Sequence, residues 1–214
     1  MITFQGGGPF EAHDDLDREL LERSGARTVA VLPTADAMEN PELLIEAAKA
    51  WAGRVGTPAI EAVMVLQRRE STEAAAQQLR SADAVYVVGD SPLHLRSAIK
   101  DTPVMDSLRE RSAKGLVVAV GASAAALCDP MTDPRGGAFT LGLGLVTGLA
   151  LVTEAERWTE ERLARTRELA TEMHESCCLA VVPTTSALVL DGGNWDRRGD
   201  VQLIGDLPGV SEAP

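Results

Sequence analysis

Aromatic side chains and lysine are scarce in this sequence, and both shortages limit what the protein can bind. Aromatic residues make up 3% of the chain, too few for the stacking surface that single-stranded nucleic acids need. Lysine occurs three times, and 32 acidic residues against 20 basic ones give a net charge of −12. Phosphate backbones are bound by basic surfaces, so the composition argues against a nucleic acid partner.

Cysteine and long apolar runs are scarce as well. Cys128, Cys177 and Cys178 match neither a disulfide framework nor the spacing of a zinc site, and we expect them in the core. No apolar run reaches about 18 residues, and no signal segment is recognisable before the first predicted strand. We therefore expect a soluble, cytoplasmic protein with no cofactor, no bound metal and no membrane contact.

Short apolar runs rich in valine alternate with amphipathic segments of about 10–15 residues. The predicted strands cover residues 2–4, 28–32, 60–66, 84–88 and 116–120. This alternation is typical of an α/β fold with three layers, in which an open, mostly parallel sheet has helices on both faces. At 214 residues, we predict a single domain over residues 1–205 and a loosely ordered tail over residues 206–214.

A pair of glycines near the end of the chain indicates a tight turn. Asp191, Gly192, Gly193 and Asn194 form a sequence that favours a β-hairpin. We expect this turn to join residues 188–190 to a strand near residues 201–204.

Functional groups in a parallel sheet collect where the strands end, at the carboxyl edge. Four segments follow directly after predicted strands: residues 6–8, residues 33–35, residues 89–92 and the segment around Ser123. We therefore expect the site at the edge where these segments meet. Groups at the C-terminal ends of the helices are expected at the opposite edge.

The chain from residue 116 to residue 126, LVVAVGASAAA, has the layout of a catalytic serine turn. A buried valine-rich strand ends at Gly121, Ser123 stands at the tip, and an alanine-rich helix follows. The nucleophile elbow, G-x-S-x-G, has the same strand–turn–helix order, although here the last glycine is Ala125. Ser123 is either a nucleophile or a small residue that a cramped turn requires.

Four segments of the chain resemble the serine peptidases that include aspartyl dipeptidase and cyanophycinase. They are VLPTA (31–35), VYVVGDSPLHLRS (85–97), GASAAALCDPM (121–131) and DPRGGAFTLGLGLVTGLAL (133–151). Their order and spacing agree with that family from about residue 28 to about residue 191. The resemblance implies the class I glutamine amidotransferase-like fold, which is flavodoxin-like, and a hydrolase with a Ser–His–acid triad.

The resemblance also implies roles for individual positions. Ser123 stands at the nucleophile position, and the backbone N–H of Ala124 stands where one oxyanion donor is expected. Gly89 and Asp90 stand where the family usually has Gly-Gly, the source of the second donor. The carboxylate of Asp90 would oppose a developing oxyanion unless it points away.

Two catalytic positions of the family are replaced in this chain. The family has P-H-Y-D-H-W where this chain, aligned on Trp158, has TEAERW, which puts Glu154 at the histidine position. The family has G-I-P-E-R-T-A-L where this chain has VVPTTSAL, which puts Thr184 at the acid position. A serine nucleophile without a positioned base is weak, so the replacements predict impaired catalysis.

Another residue could serve as the base. His94 follows Gly89 and Asp90 by one helical turn, and it is either a replacement base or a helix histidine with a local hydrogen bond. Glu154 could act as a base if burial raised its pKa, or it could be a solvated acid. His13 lies on the correct side without a matched role, whereas His174 is expected at the wrong edge.

Three functions remain open. The first is a catalytically impaired, peptidase-like protein whose pocket binds a small peptide or amide. The second is an active serine hydrolase of small peptides or amides that uses His94 or Glu154 as a non-standard base. The third is a structural partner, in a homo-oligomer or beside a paralogue with an intact triad. A glutaminase is disfavoured, because the resembling amidotransferases have cysteine where Ser123 stands.

Overall fold

A mostly parallel sheet of seven strands forms the centre of the molecule. The structure is a computed structural model that describes residues 1–56, 59–173 and 176–209. In spatial order the strands are β13 (Asn194–Arg198), β12 (Ala187–Asp191), β1 (Ile2–Gln5), β5 (Leu116–Val120), β4 (Ala84–Val87), β2 (Thr28–Leu32) and β3 (Ala59–Ala62). Strands β1 to β5 of this sheet are parallel, and β12 and β13 are antiparallel additions at one side.

Helices cover both faces of this sheet. They are α1 (Asp14–Ser24), α2 (Pro41–Val55), α3 (Glu73–Ser81), α4 (Pro92–Ile99), α5 (Pro103–Lys114), α6 (Ala122–Leu127) and α7 (Glu160–Glu172). Side chains alternate between the two faces along each strand. Ala84, Tyr86 and Val118 therefore pack on the face that α1 and α2 cover. Val85 and Val117 pack on the opposite face. The predicted three-layer α/β fold is confirmed.

A second, smaller sheet flanks the main one. It contains β10 (Leu149–Thr153), β11 (Cys178–Val182) and β14 (Gln202–Ile204), and β10 is parallel to β11. Helix α7 packs against this sheet through Ala170 and neighbouring apolar residues. Two short pairs complete the strands: β6 (Cys128–Asp129) with β9 (Val146–Thr147), and β7 (Met131–Thr132) with β8 (Phe139–Thr140).

The C-terminal hairpin differs from the sequence-based expectation. Its turn, Gly192 and Gly193, lies where predicted, with both residues at positive φ. The expected pairing of residues 188–190 with a strand near residues 201–204 is wrong, because the two-residue turn returns the chain at once and pairs β12 with β13. Gln202–Ile204 instead forms β14 and pairs with β11.

Other boundaries follow from local capping. Asn40 Oδ1 accepts a hydrogen bond from Leu43 N at 3.4 Å and caps α2, as its position before Pro41 predicts. Helix α3 is capped by Thr72, whose side chain accepts a hydrogen bond from Ala75 N. In the predicted tail, Pro208 O accepts a hydrogen bond from Trp195 Nε1 at 2.9 Å, and residues 210–214 lie outside the described residues.

The helices of the described residues are short or polar. None combines the length and the apolar character that crossing a bilayer would require.

Candidate functional site

The carboxyl end of β1 joins three segments that contain predicted site residues through backbone hydrogen bonds. Gly121 N–H donates to Gln5 O at 3.0 Å, and Glu154 N–H donates to Gly6 O at 2.9 Å. Gly6 N–H in turn donates to Ser186 O at 2.8 Å, which holds the loop that contains Thr184. The Ser123 turn (residues 121–124), Glu154 and the Thr184 loop therefore meet at one edge of the sheet.

Glycines at positions 6 and 7 make this meeting possible. A Cβ atom on Gly6 would lie 1.8 Å from Pro183 O, and one on Gly7 would lie 2.6 Å from Glu154 Cγ. The atom that a Cβ on Gly6 would meet belongs to the backbone, so the loop after β1 needs glycine there for its close approach to Pro183.

Ser123 is fully buried, with 0% of its surface exposed. Its Oγ donates a hydrogen bond to the carbonyl oxygen of Gly89 at 3.0 Å. No histidine or carboxylate among the described residues accepts this proton. The N–H of Ala124 donates to Gly121 O at 3.0 Å, within the first turn of α6. The expected nucleophile and the expected oxyanion donor are thus both engaged with backbone carbonyls.

Gly89 and Asp90 form the turn opposite Ser123. Gly89 has a φ of +115°, and a Cβ there would lie 2.4 Å from Asp36 N. Asp90 is exposed at the edge. Besides the larger effect of burial, its negative charge raises the pKa of the neighbouring carboxyl groups of Asp36 and Glu154. Burial raises the pKa of Asp36, and the charge of Asp90 adds to this effect. Negative charge therefore accumulates beside the turn that was expected to stabilise an oxyanion.

Glu154, which the sequence predicts at the position of the family histidine, lies beside the cavity of this edge. Its backbone is left-handed, with a φ of +47°, and its side chain contacts Gly7. The carboxylate forms an ion pair with Arg157, with 2.7 Å between Oε1 and Nη1. Burial raises the pKa of Glu154, while the Arg157 charge opposes the increase and the Asp90 charge reinforces it.

Thr184, which the sequence predicts at the position of the family acid, is held by Glu156 and His13. Its N–H lies 3.2 Å from both carboxylate oxygens of Glu156, and its hydroxyl also donates to that carboxylate. His13 Nε2 is 2.8 Å from Thr184 O. Burial lowers the pKa of His13, against hydrogen bonds with the backbone of Thr184 and Gly7. The only sequence signal for Glu156 was its place two residues before Trp158.

The other predicted base is not brought to Ser123. His94 Nε2 is 2.8 Å from the carbonyl oxygen of Leu66, so this histidine joins α4 to the chain that follows β3. His174 lies outside the described residues. The catalytic and binding roles of Ser123, Glu154 and His94 therefore remain predictions, to which the structure adds their surroundings.

A cavity of about 260 Å³ opens at this edge. Its polar walls are Asp90, Glu154 and Arg157, its aromatic wall is Trp158, and Ala122 belongs to its lining. Fully buried Ser123 lies next to Ala122 in the chain and does not line the cavity. A larger cavity of about 680 Å³ lies at the opposite edge, and none of the predicted site residues lines it.

The described residues contain neither a cluster of metal ligands nor an exposed thiol. No group of three or more His, Cys, Asp or Glu side chains there is placed to hold a metal ion. Cys128, Cys177 and Cys178 are free and buried. Burial raises the pKa of Cys178 to about 11, so this thiol is not an activated nucleophile.

The comparisons with known proteins agree with the fold. Residues 3–134, more than half of the chain, match the model of peptidase family S51. A peptidase from an acI-B1 Actinobacterium has a similar structure, with a TM-score of 0.78 and 19% identity over 99% of this chain and 96% of that one. A candidate peptidase E protein from Listeria monocytogenes matches with a TM-score of 0.63 and 18% identity, over 96% of this chain and 98% of that one. No curated protein matches the sequence significantly. The chain therefore belongs to peptidase family S51.

Proposed function

We propose that this protein is a peptidase-family member without appreciable hydrolytic activity, whose carboxyl-edge cavity binds a small ligand. The observation that carries this proposal is the hydrogen bond from Ser123 Oγ to Gly89 O. A serine nucleophile must pass its proton to a base during attack. A carbonyl oxygen cannot take that proton, so Ser123 is not activated in this arrangement.

The groups at the two replaced positions support the same conclusion. Glu154 is paired with Arg157, and Thr184 is bound to Glu156. Neither forms a hydrogen bond with Ser123, whose partner is Gly89. The proposal therefore treats both residues as parts of the cavity wall rather than as a base and its partner.

Stabilisation of an oxyanion is also weak in this geometry. The Ala124 N–H already donates to Gly121 O, and Asp90 brings a negative charge to the other expected donor site. Loss of one oxyanion donor typically lowers kcat about 10²–10³-fold. An anionic intermediate would therefore lack the Ala124 N–H as a donor and would be repelled by the negative charge of Asp90.

The cavity suits a small, positively charged ligand. Its volume of about 260 Å³ lies below that of pockets for drug-sized molecules. Of its three charged wall residues, Arg157 is already paired with Glu154, which leaves Asp90 to attract a cation. The amino group of a single amino acid or of a small peptide or amide fits this chemistry.

One observation favours a second candidate, an active hydrolase with Glu154 as its base. Burial raises the pKa of Glu154, which brings the carboxylate closer to the range of a general base. In that case Ser123 Oγ has to turn away from Gly89 O toward the cavity before it can react.

Hydrolysis of a dipeptide panel distinguishes the two candidates. The full chain and its Ser123→Ala variant are incubated with dipeptides at pH 5 to 8, and released amino acids are quantified. We expect equal background rates in both proteins, and saturable binding of the dipeptide ammonium group seen by NMR. Hydrolysis that Ser123→Ala abolishes would contradict the proposal. If Glu154→Gln also abolished it, the second candidate would be correct.

A further inference from the structure

Asp17 is a buried carboxylate at the junction of four elements. Only 1% of its surface is exposed, and it belongs to α1. Its Oδ1 accepts hydrogen bonds from Gln5 Nε2 at 2.6 Å and from Tyr86 Oη at 3.0 Å. Its Oδ2 accepts one from Trp51 Nε1 at 3.0 Å. These donors come from β1, β4 and α2, and all three are uncharged.

No cation among the described residues compensates the charge of Asp17. On α1, Asp14 is its acidic neighbour, and His13 precedes the helix with its carbonyl bonded to the Asp17 N–H at 2.8 Å. Arg54 of α2 is paired with Asp14, at 2.7 Å. Tyr86 is the titratable group from β4, and β1 presents the neutral Gln5. Burial raises the pKa of Asp17 to about 6, against the three hydrogen bonds.

The donor geometry determines where a proton can be added. An indole N–H can only donate, so Oδ2 must remain an acceptor for Trp51. A proton therefore belongs on Oδ1, where Gln5 and Tyr86 are the partners. A protonated Oδ1 needs an acceptor. The Tyr86 hydroxyl has Asp17 Oδ1 as the acceptor of its own proton, so it continues to donate there, and the Gln5 amide accepts by turning its oxygen toward Asp17.

Gln5 connects this junction to the cavity edge. Its side chain is bonded to Asp17, while its backbone carbonyl accepts the Gly121 N–H that begins the Ser123 turn. The next residue, Gly6, accepts the Glu154 N–H. A change at the Gln5 side chain therefore acts on the segment that holds both Gly121 and Glu154.

We propose that Asp17 is a pH-sensitive positioning residue for the carboxyl-edge cavity: protonation of Oδ1 turns the Gln5 amide and shifts the Gly121 and Glu154 amides that this segment holds. The inference concerns the geometry of the edge and holds whether or not a ligand there is hydrolysed. Its failure therefore leaves the proposed function untouched, and the reverse is also true.

The test is an NMR titration of the full ¹⁵N-labelled chain between pH 4.5 and pH 8. We expect the Gly121 and Glu154 amides and the Trp51 indole N–H to shift with a common midpoint near pH 6. The Asp17→Asn variant keeps an acceptor for Trp51 and should lose this inflection. His13→Gln is the matched control, because His13 also titrates near the edge, and the inflection should persist in it.

Two results would overturn the inference. One is an inflection that survives Asp17→Asn and disappears in His13→Gln. The other concerns the unmodified chain alone. There, the Gly121 and Glu154 amide shifts would have a titration midpoint that differs from the midpoint of the Asp17 ¹³Cγ resonance. The second measurement needs no variant, so it decides the question even if Asp17→Asn does not fold.

Discussion

The buried carboxylate of Asp17 makes the stability of the protein depend on pH in a direction opposite to that of most acidic groups. Its pKa is about 6 in the folded protein and 3.8 in an ordinary environment. Since the folded state binds the proton more tightly, the contribution of Asp17 is fully present below about pH 4 and is lost as the pH rises through 6. These two pKa values differ by about 2.2, and a difference of one pKa unit corresponds to about 1.36 kcal/mol. The full contribution of Asp17 to the free energy of unfolding is therefore about 3 kcal/mol.

Urea unfolding of the unmodified chain and of Asp17→Asn, at several pH values between 4 and 7.5, isolates this contribution. We expect the free energy of unfolding of the unmodified chain, minus that of the variant, to fall by roughly 2.4 kcal/mol across this range, because at pH 4 the unfolded state is already partly ionised. Subtracting the variant removes the opposite effect of carboxylates such as Asp83, whose pKa is lowered by a backbone hydrogen bond from Arg27. Asp15→Asn is the matched control on α1, because its side chain is fully exposed. That control should change stability by less than about 0.5 kcal/mol at every pH. A flat difference for Asp17→Asn, or one that grows with pH, would refute the reasoning.

Two further substitutions test the cavity edge. Gly6→Ala puts a Cβ 1.8 Å from Pro183 O and should lower the free energy of unfolding in urea by more than about 3 kcal/mol. Gly53→Ala is the control, because Gly53 lies on α2 with open space around it. This substitution should raise the free energy of unfolding by up to about 1 kcal/mol. Equal effects of the two alanines would contradict the close approach. Asp90→Asn should weaken binding of a dipeptide ammonium group about fivefold in an NMR titration, because a unit charge about 4 Å away is worth roughly 1 kcal/mol in water. Unchanged or tighter binding by this variant would show that Asp90 does not attract the ligand.

Local sequence patterns were enough to predict the elements and the edge where they meet. The valine run of β5 followed by Gly121 and small residues predicts a strand, a turn and a helix, and all three are present. The alternation of strands and helices predicts a parallel sheet, and the carboxyl-edge rule places the Ser123 turn and the loop after β1 at one edge, where Gly121 N–H donates to Gln5 O.

Contacts between distant parts of the chain could not be predicted in the same way. Asp17 stands in the first turns of an amphipathic helix among other acids, where its sequence environment is that of a solvated residue. Only packing against Trp51 and Tyr86 buries it. The bond from Ser123 to Gly89 spans 34 residues, and the bond from Thr184 to Glu156 spans 28. Neither leaves a periodic signal in the sequence.

Labelling of Ser123 by a fluorophosphonate probe tests the central claim most directly, because the probe reacts with activated serines. The full chain and Ser123→Ala are treated at pH 7.5, and the modified residue is identified by mass spectrometry. The hydrogen bond of Ser123 Oγ to Gly89 O predicts no labelling at Ser123 and the same background in both proteins. Stoichiometric labelling that disappears in Ser123→Ala would show an activated nucleophile and contradict the account.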